Sequence, residues 1–251
     1  MQTIGLIAAM TQERDALLRW FKGWQRLAVG PLRGHGWVIS GKTCLLVTSG
    51  MGVRRASQAA RYLVEQSSPQ LLISFGIAGA VNPDLEIGDV VLAQAVCRME
   101  HGVIGSLSPL AAWPEAAREA ASLAIAKRGR RLLSGTAVTT GGSPVMESQL
   151  GAMQHPVLEM ETAGIAQVAA QAGIPLLSMR AISDGPRAPI PIDLVEVMDA
   201  DANLRAGKLL REVIRDPGII LQARRMLRNT RIAADNAAIA LTAVLSQAGF
   251  G

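Results

Sequence analysis

Apolar and polar positions along this chain fall into two alternating rhythms. Continuous or period-two apolar runs at 3–9, 36–39, 43–49, 71–75, 89–96, 132–139 and 175–183 predict strands. Between several of them, amphipathic segments at 13–24, 54–65, 114–127 and 161–172 carry the 3.6-residue period of helices. That alternation predicts an α/β fold with helices on both faces of a sheet. After Asp184 the pattern changes. Gly185-Pro186-Arg187-Ala188-Pro189-Ile190-Pro191 is a proline-rich loop, long enough for a rim or gate. Beyond it the chain reads as helical to the end, with Asp216 as N-cap and Pro217 just inside a last helix running from 218 to about 246. The expected division is an α/β domain over 1–200 and a basic helical extension, 201–251, packed on or beside it.

The strand ends carry the candidate chemistry. Gly50-Met51-Gly52 and Gly76-Ile77-Ala78-Gly79-Ala80 each follow a strand-like run, where small residues let a ligand approach the backbone. Tight strand-to-helix turns would look the same, and neither a dinucleotide fingerprint nor a P-loop is present. Asp184 sits at the carboxyl end of the 175–183 run, the side of an open α/β sheet on which substrates bind. A partly desolvated acid there can be raised towards neutrality and so fitted for proton donation. Taken alone, Asp184 also reads as a surface residue opening a turn. The carboxylates of Leu158-Glu159-Met160-Glu161-Thr162-Ala163, with Glu13 near the N-terminus, turn the balance towards a site.

Composition narrows the classes. Hydrophobic residues make up 49% of 251 positions but aromatics only 3%, so Ala, Leu, Ile, Val and Met must build the core. No apolar run reaches the ~18 residues of a membrane span. The opening Thr3–Met10 stretch lacks a basic leader and reads as a first strand entering a helix rather than a signal peptide. Cys44 and Cys97 lie in strand-like runs with no metal-ligand spacing around them, so free buried thiols in a cytoplasmic protein are expected. The net charge of +5 resides in 204–248, where eight basic residues face three acidic ones. A solvated helix face accounts for it, and the functional alternative is an anionic membrane surface at the inner membrane face. Without aromatic interleaving or a recognisable motif, no nucleic-acid partner is expected.

In order along the chain stand Gly5-Leu6-Ile7-Ala8-Ala9-Met10 with Glu13, Ser49-Gly50-Met51-Gly52, Gly76-Ile77-Ala78-Gly79, Gly88-Asp89-Val90-Val91, Glu159-Met160-Glu161 and Arg180-Ala181-Ile182-Ser183-Asp184. This set resembles the purine nucleoside phosphorylase and nucleosidase superfamily, and within it the methylthioadenosine/S-adenosylhomocysteine nucleosidases. The resemblance implies a three-layer αβα sandwich around a mixed central sheet. It implies that Asp184 protonates the departing purine at N7, that Glu161 binds the ribose hydroxyls, and that Glu13 activates water. It places Met160, Glu159, Ala78, Gly79, Met51 and Val145 around the substrate, with Ser183 and Arg180 holding Asp184. No metal and no organic cofactor are implied, and a homo-oligomer, foremost a dimer, is.

Two departures refine the expectation. Phosphorolytic members hold phosphate with an Arg and a hydroxyl residue, where this chain has Ser74 and Ile77, so no cation is expected to meet an anion there and water is the expected nucleophile. Pro144 stands where nucleosidases carry an aromatic residue, and His101 reads as a loop histidine. Ser74-Phe75-Gly76-Ile77-Ala78-Gly79 and the basic tail resemble the hopanoid-biosynthesis-associated nucleosidases, a branch long labelled phosphorylases. The implied activity is hydrolysis of the N-glycosidic bond of a 5′-substituted adenosine, either adenosylhopane or a methylthioadenosine-type nucleoside. The alternatives are a phosphate-dependent phosphorylase and a non-catalytic nucleoside- or membrane-binding relative.

Overall fold

The computed structural model describes residues 2–141, 145, 147–150, 153–187, 219–248 and 250. Eleven strands run β1 (Gln2–Ala8), β2 (Gln25–Val29), β3 (Leu32–Ile39), β4 (Lys42–Thr48), β5 (Leu71–Ala80), β6 (Val90–Glu100), β7 (Val103–Ile104), β8 (Ser108–Pro109), β9 (Leu132–Thr140), β10 (Pro156–Glu159) and β11 (Leu176–Asp184). The helices are α1 (Thr11–Leu18), α2 (Val53–Ser67), α3 (Glu115–Ala126), α4 (Thr162–Ala172) and α5 (Ile219–Leu245). The strand order is β10-β9-β6-β11-β5-β1-β4-β3-β2, with β7 and β8 paired to β6. Pairing is mixed: β1 runs parallel to β4 and β5, and β5 parallel to β11, whereas β11 opposes β6 and β3 opposes both its neighbours.

Alternation along β1 shows how the layers arise. Ile4, Leu6 and Ala8 point into a core shared with α1, α3 and α5, while Ile7 points into a second core under α2 and α4. The result is the expected three-layer αβα sandwich around a mixed sheet. One end of the sheet curls over: β10 pairs parallel with β9 and also antiparallel with β5, through Val157 opposite Ala80 and Leu158 opposite Gly79. The strands bearing Glu159, Asp184 and the Gly76–Gly79 segment are thereby brought to one place.

α5 packs as an integral part of the larger core. Ala233, Ala237, Ala238, Ala240, Leu241, Val244 and Leu245 are fully buried against α1, α3 and β11. Its alanines keep the helix close to the sheet, consistent with a core that has few aromatics to fill space. Its first turns are different: Leu221, Arg224, Arg225, Leu227 and Arg228 are exposed. The expected start at Pro217 and the helical reading between 188 and 218 lie outside the described residues, as does all of the proline-rich loop beyond Arg187.

Two local expectations are corrected. The helix expected over 13–24 ends at Leu18, and Gln25–Val29 forms an edge strand instead. Its alternating Leu27 and Val29 face the α2 core, a signal too short to stand out from the preceding helical pattern. The glycine-rich segment at 76–80 is no turn, because β5 continues through Ala80. The strand β10 was not among the expected runs: it has four residues and is held by β9 on one side and β5 on the other, which no periodicity reveals.

Candidate active site

Glu13, Glu161 and Asp184 open onto one cavity of about 650 Å³, walled by β5, the β10–α4 junction, the end of β11, the start of α1 and the exposed end of α5. Glu13 sits in the first turn of α1 and is almost wholly buried. Its Oε2 accepts the backbone N–H groups of Ala9 (2.9 Å) and Met10 (2.8 Å), and its Oε1 accepts that of Ile77 (2.9 Å). The carboxylate lies directly over Gly76, where a Cβ would come within 2.7 Å of its carboxyl carbon. Burial raises its pKa against the pull of those three donors and of Arg180.

Glu161 is held by the turn that follows β4. Gly52, at φ +104°, adopts a backbone that suits glycine, and its N–H reaches Glu161 Oε1 at 3.0 Å. Burial and the neighbouring Glu159 charge push Glu161 up to about 7, Arg180 and the Gly52 N–H opposing. Asp184 ends β11 at an irregularity in the register and lies over Gly79, where a Cβ would stand 2.8 Å from its Oδ2. Ser183 donates its hydroxyl to Asp184 Oδ1 at 2.6 Å. Burial raises the Asp184 carboxyl, and that hydrogen bond only partly offsets it. The two glycines of β5 are therefore recesses for two acids, which explains why small residues continue through a strand that is otherwise bulky and apolar.

Behind the cavity lies a buried polar cluster. Arg180 Nη2 donates to Glu159 Oε2 (2.9 Å), Ser74 Oγ (2.7 Å) and Thr162 Oγ1 (2.9 Å). Glu159 also accepts the Thr139 hydroxyl and the N–H groups of Glu161 (3.0 Å) and Thr162 (2.7 Å), so it caps α4 at its positive end. Burial alone would push Glu159 up, but the Arg180 guanidinium and the two threonine hydroxyls hold its carboxyl below the ordinary value. Glu159 is the fixed anion of the group, and its charge helps raise Glu161.

This geometry corrects two expectations. Arg180 was expected to hold Asp184, yet the hydrogen bonds described for it go to Glu159, Ser74, Thr162 and the Met179 carbonyl. It steadies Glu159 instead. Nor is Ser74 remote from a cation, since Arg180 bonds it directly; that cation is already neutralised by Glu159. Glu13, Met51, Ala78, Gly79, Glu159, Met160, Glu161, Ser183 and Asp184 all line the cavity. Val145 packs instead among Val81, Cys97, Met99, Val138 and Leu150, and Pro144 lies outside the described residues. His101 is exposed in a turn at φ +51°, away from the cavity, and both cysteines are free and buried.

The α5 residues that reach the cavity were not anticipated. Met226, Leu227, Thr230, Arg231, Ala234 and Asp235 form a wall of it, and Asp235 pairs with Arg19, the residue that follows α1. Their spacing of three and four places them on one helix face, but nothing in the sequence says that this face meets the strand ends.

Comparison with known proteins agrees with the geometry. A family model described as the phosphorylase superfamily matches residues 3–215. A 5′-methylthioadenosine/S-adenosylhomocysteine nucleosidase of Shewanella baltica is 31% identical over 205 residues, covering 76% of this chain and 87% of that protein. Its counterpart in Marinomonas is 28% identical over 202 residues, covering 73% and 86%. Among solved structures, the Neisseria meningitidis nucleosidase in complex with methylthio-immucillin-A superposes with a TM-score of 0.70 at 19% identity, covering 98% of this chain and 99% of that one. The Streptococcus pyogenes nucleosidase does so at 0.71 and 22%, covering 98% and 96%. With its sheet, its paired glycine recesses and its three carboxylates in place, the chain belongs to the phosphorylase superfamily.

Proposed function

We propose that this protein is a nucleosidase that hydrolyses the N-glycosidic bond of a 5′-substituted adenosine and releases adenine. The observation that carries the reading is the seat of Glu13. Its carboxylate already takes the Ala9, Met10 and Ile77 N–H groups over Gly76, so the donors that would cradle a phosphate are filled by an anion. A second anion beside it would be repelled, whereas a neutral water is a natural partner for a desolvated carboxylate.

In this reading Glu13 removes a proton from water as its oxygen bonds to C1′. The C1′–N9 bond breaks, and Asp184 delivers its proton to N7 so that the base leaves neutral. Glu161 accepts hydrogen bonds from the ribose hydroxyls and opposes the positive charge that develops on the sugar, an interaction worth several kcal/mol in a dry site. Ser183 orients Asp184, and Glu159 with Arg180 fixes the β10–α4 junction from which Glu161 projects.

The 5′ substituent is either that of adenosylhopane or a methylthioadenosine-type group, and the apolar lining of the cavity supports the larger of the two in this reading. Met10, Met51, Met160, Met226 and Leu227 line it, and α5 carries Leu221 and Leu227 exposed beside Arg224, Arg225 and Arg228. Apolar and basic side chains together suit the surface of an anionic bilayer, each Lys or Arg adding about 1 kcal/mol. No described helix is long and apolar enough to cross a membrane. Incubation with adenosine, methylthioadenosine and adenosylhopane, each with and without phosphate, tests the reading by free adenine. Phosphate-independent release, fastest from adenosylhopane, is expected; a ribose-1-phosphate product would return the protein to the phosphorylases.

A further inference from the structure

A second cavity, of about 840 Å³, lies between α1 and the β2–β3 hairpin and shares Asp15 and Arg19 with the first. Its walls carry Arg14, Arg19, Arg26 and Arg33 against the single carboxylate of Asp15, a formal charge of +3 from four arginines and one aspartate. Arg14 is turned to Asp15 (2.7 Å), and Arg19 to Asp235 of α5. Among the described residues neither Arg26 nor Arg33 forms an ion pair. Strand register puts these two on one face of the hairpin: Arg26 stands opposite His35, and Arg33 lies two residues from His35 along β3.

His35 gives an independent sign. Only 8% of it is exposed, and its Nδ1 has no hydrogen-bond partner among the described residues. Trp24 stands edge-on to it with ring centroids 5.0 Å apart. Burial above all, and then the charges of Arg14 and Arg26, lower its pKa, with Asp15 opposing. The unpaired guanidinium groups of Arg26 and Arg33, on one face of the hairpin, repel one another, and a multidentate anion relieves that repulsion. Guanidinium forks match the oxygens of a phosphoryl group two at a time.

We infer that this cavity is a phosphoryl-binding site, adjoining the nucleoside cavity but separate from the three carboxylates. The phosphoryl group comes either from a soluble diphosphate-bearing molecule or from a phosphomonoester lipid headgroup, both dianionic or more at neutral pH. Through Arg19, which pairs with Asp235 on the α5 wall, an occupant touches the rim of the nucleoside cavity without entering it.

Calorimetric titration with sodium pyrophosphate, on the full chain and on Arg26→Gln/Arg33→Gln, is the first arm. Co-sedimentation with phosphatidylcholine vesicles containing phosphatidic acid is the second, with Arg224→Gln/Arg225→Gln/Arg228→Gln alongside to remove attraction by α5. Saturable pyrophosphate binding at one per chain, weakened at least about ten-fold in the hairpin variant, identifies the soluble source. Vesicle binding lost in the hairpin variant, with no pyrophosphate binding, identifies the headgroup. If neither probe distinguishes wild type from the hairpin variant, the site does not exist and these arginines are a solvated face. Nucleoside cleavage by that variant should stay within about two-fold of wild type, because exposed substitutions away from a site change little. A protein that binds pyrophosphate yet cleaves no nucleoside would overturn the proposed function and leave this site standing.

Discussion

Glu13 and Gly76 are complementary: the carboxylate of one fills the space that a side chain on the other would occupy, bonding the Ile77 N–H at 2.9 Å. Gly76→Ala should therefore act as a remote deletion of Glu13. The added methyl meets the carboxylate rather than a flexible apolar neighbour, so the acid must leave its three backbone donors. Cleavage should fall by about 10²-fold or more while substrate affinity changes little, and the melting temperature should drop because buried backbone donors lose their acceptor. Retention of near wild-type turnover would show that Glu13 does not need this seat.

Asp184→Asn keeps the shape beside Gly79 and a hydrogen bond to Ser183 but carries no transferable proton. Turnover should drop ~10²–10⁴-fold with binding spared. Ser183→Ala should instead leave the acid in place and raise its pKa further, because the hydroxyl that stabilises the carboxylate is gone. The basic limb of its pH–rate profile should move to higher pH.

Glu161 must be ionised to oppose positive charge on the sugar, so turnover should rise as pH climbs through about 7. The same shift has a stability consequence of defined sign. The folded chain keeps a proton on Glu161 that the unfolded chain, with an ordinary value of 4.5, has lost. Its contribution to stability is full below about 4.5 and falls away as pH rises to about 7. Glu159→Gln removes the neighbouring charge and should move the acid limb to lower pH. It should also cost about 3–5 kcal/mol of stability by leaving Arg180 buried without its carboxylate. An unmoved acid limb would assign the perturbation to burial alone.

Replacing Arg224, Arg225 and Arg228 with Gln should weaken binding to anionic vesicles and slow cleavage of a membrane-held substrate, leaving a small soluble nucleoside unaffected. The ratio of the two activities is the measurement. An unchanged ratio, with wild type failing to sediment at low salt, favours the methylthioadenosine-type substrate.

Deeper in the same helix, Leu241→Ala should cost about 2–5 kcal/mol in urea denaturation, because Leu241 is fully buried. A loss under about 0.5 kcal/mol would mean that α5 adds little to the core.

Legibility in the sequence followed the range of the physics involved. Long apolar runs such as those of β1, β5, β6 and β11 announce themselves by local pattern, and the strand-end position of Asp184 follows from them. Asp184, Glu13 and Glu161 do converge on one cavity. What stayed hidden depends on contacts between distant segments. The partner of Arg180 was misassigned to the acid four residues away, although Glu159 lies 21 residues off and 2.9 Å distant. The glycines at 76 and 79 looked like a turn because their purpose, room for two acids, depends on a helix and another strand. The cavity wall on α5 was missed since its Met226, Leu227, Thr230 and Ala234 read as ordinary amphipathic helix until its position is known.

α5 serves two masters at different points along its length. From Ala233 onwards it is constrained by close packing, where one added methylene is felt. Before that, Met226, Leu227 and Thr230 line the cavity and are exposed or half-buried. On the proposed function, substitutions in those first turns should reshape what the enzyme accepts and leave in place the carboxylates of α1, β11 and the β10–α4 junction. Substrate preference would then be a detachable property, open to change by evolution or by design within two helical turns.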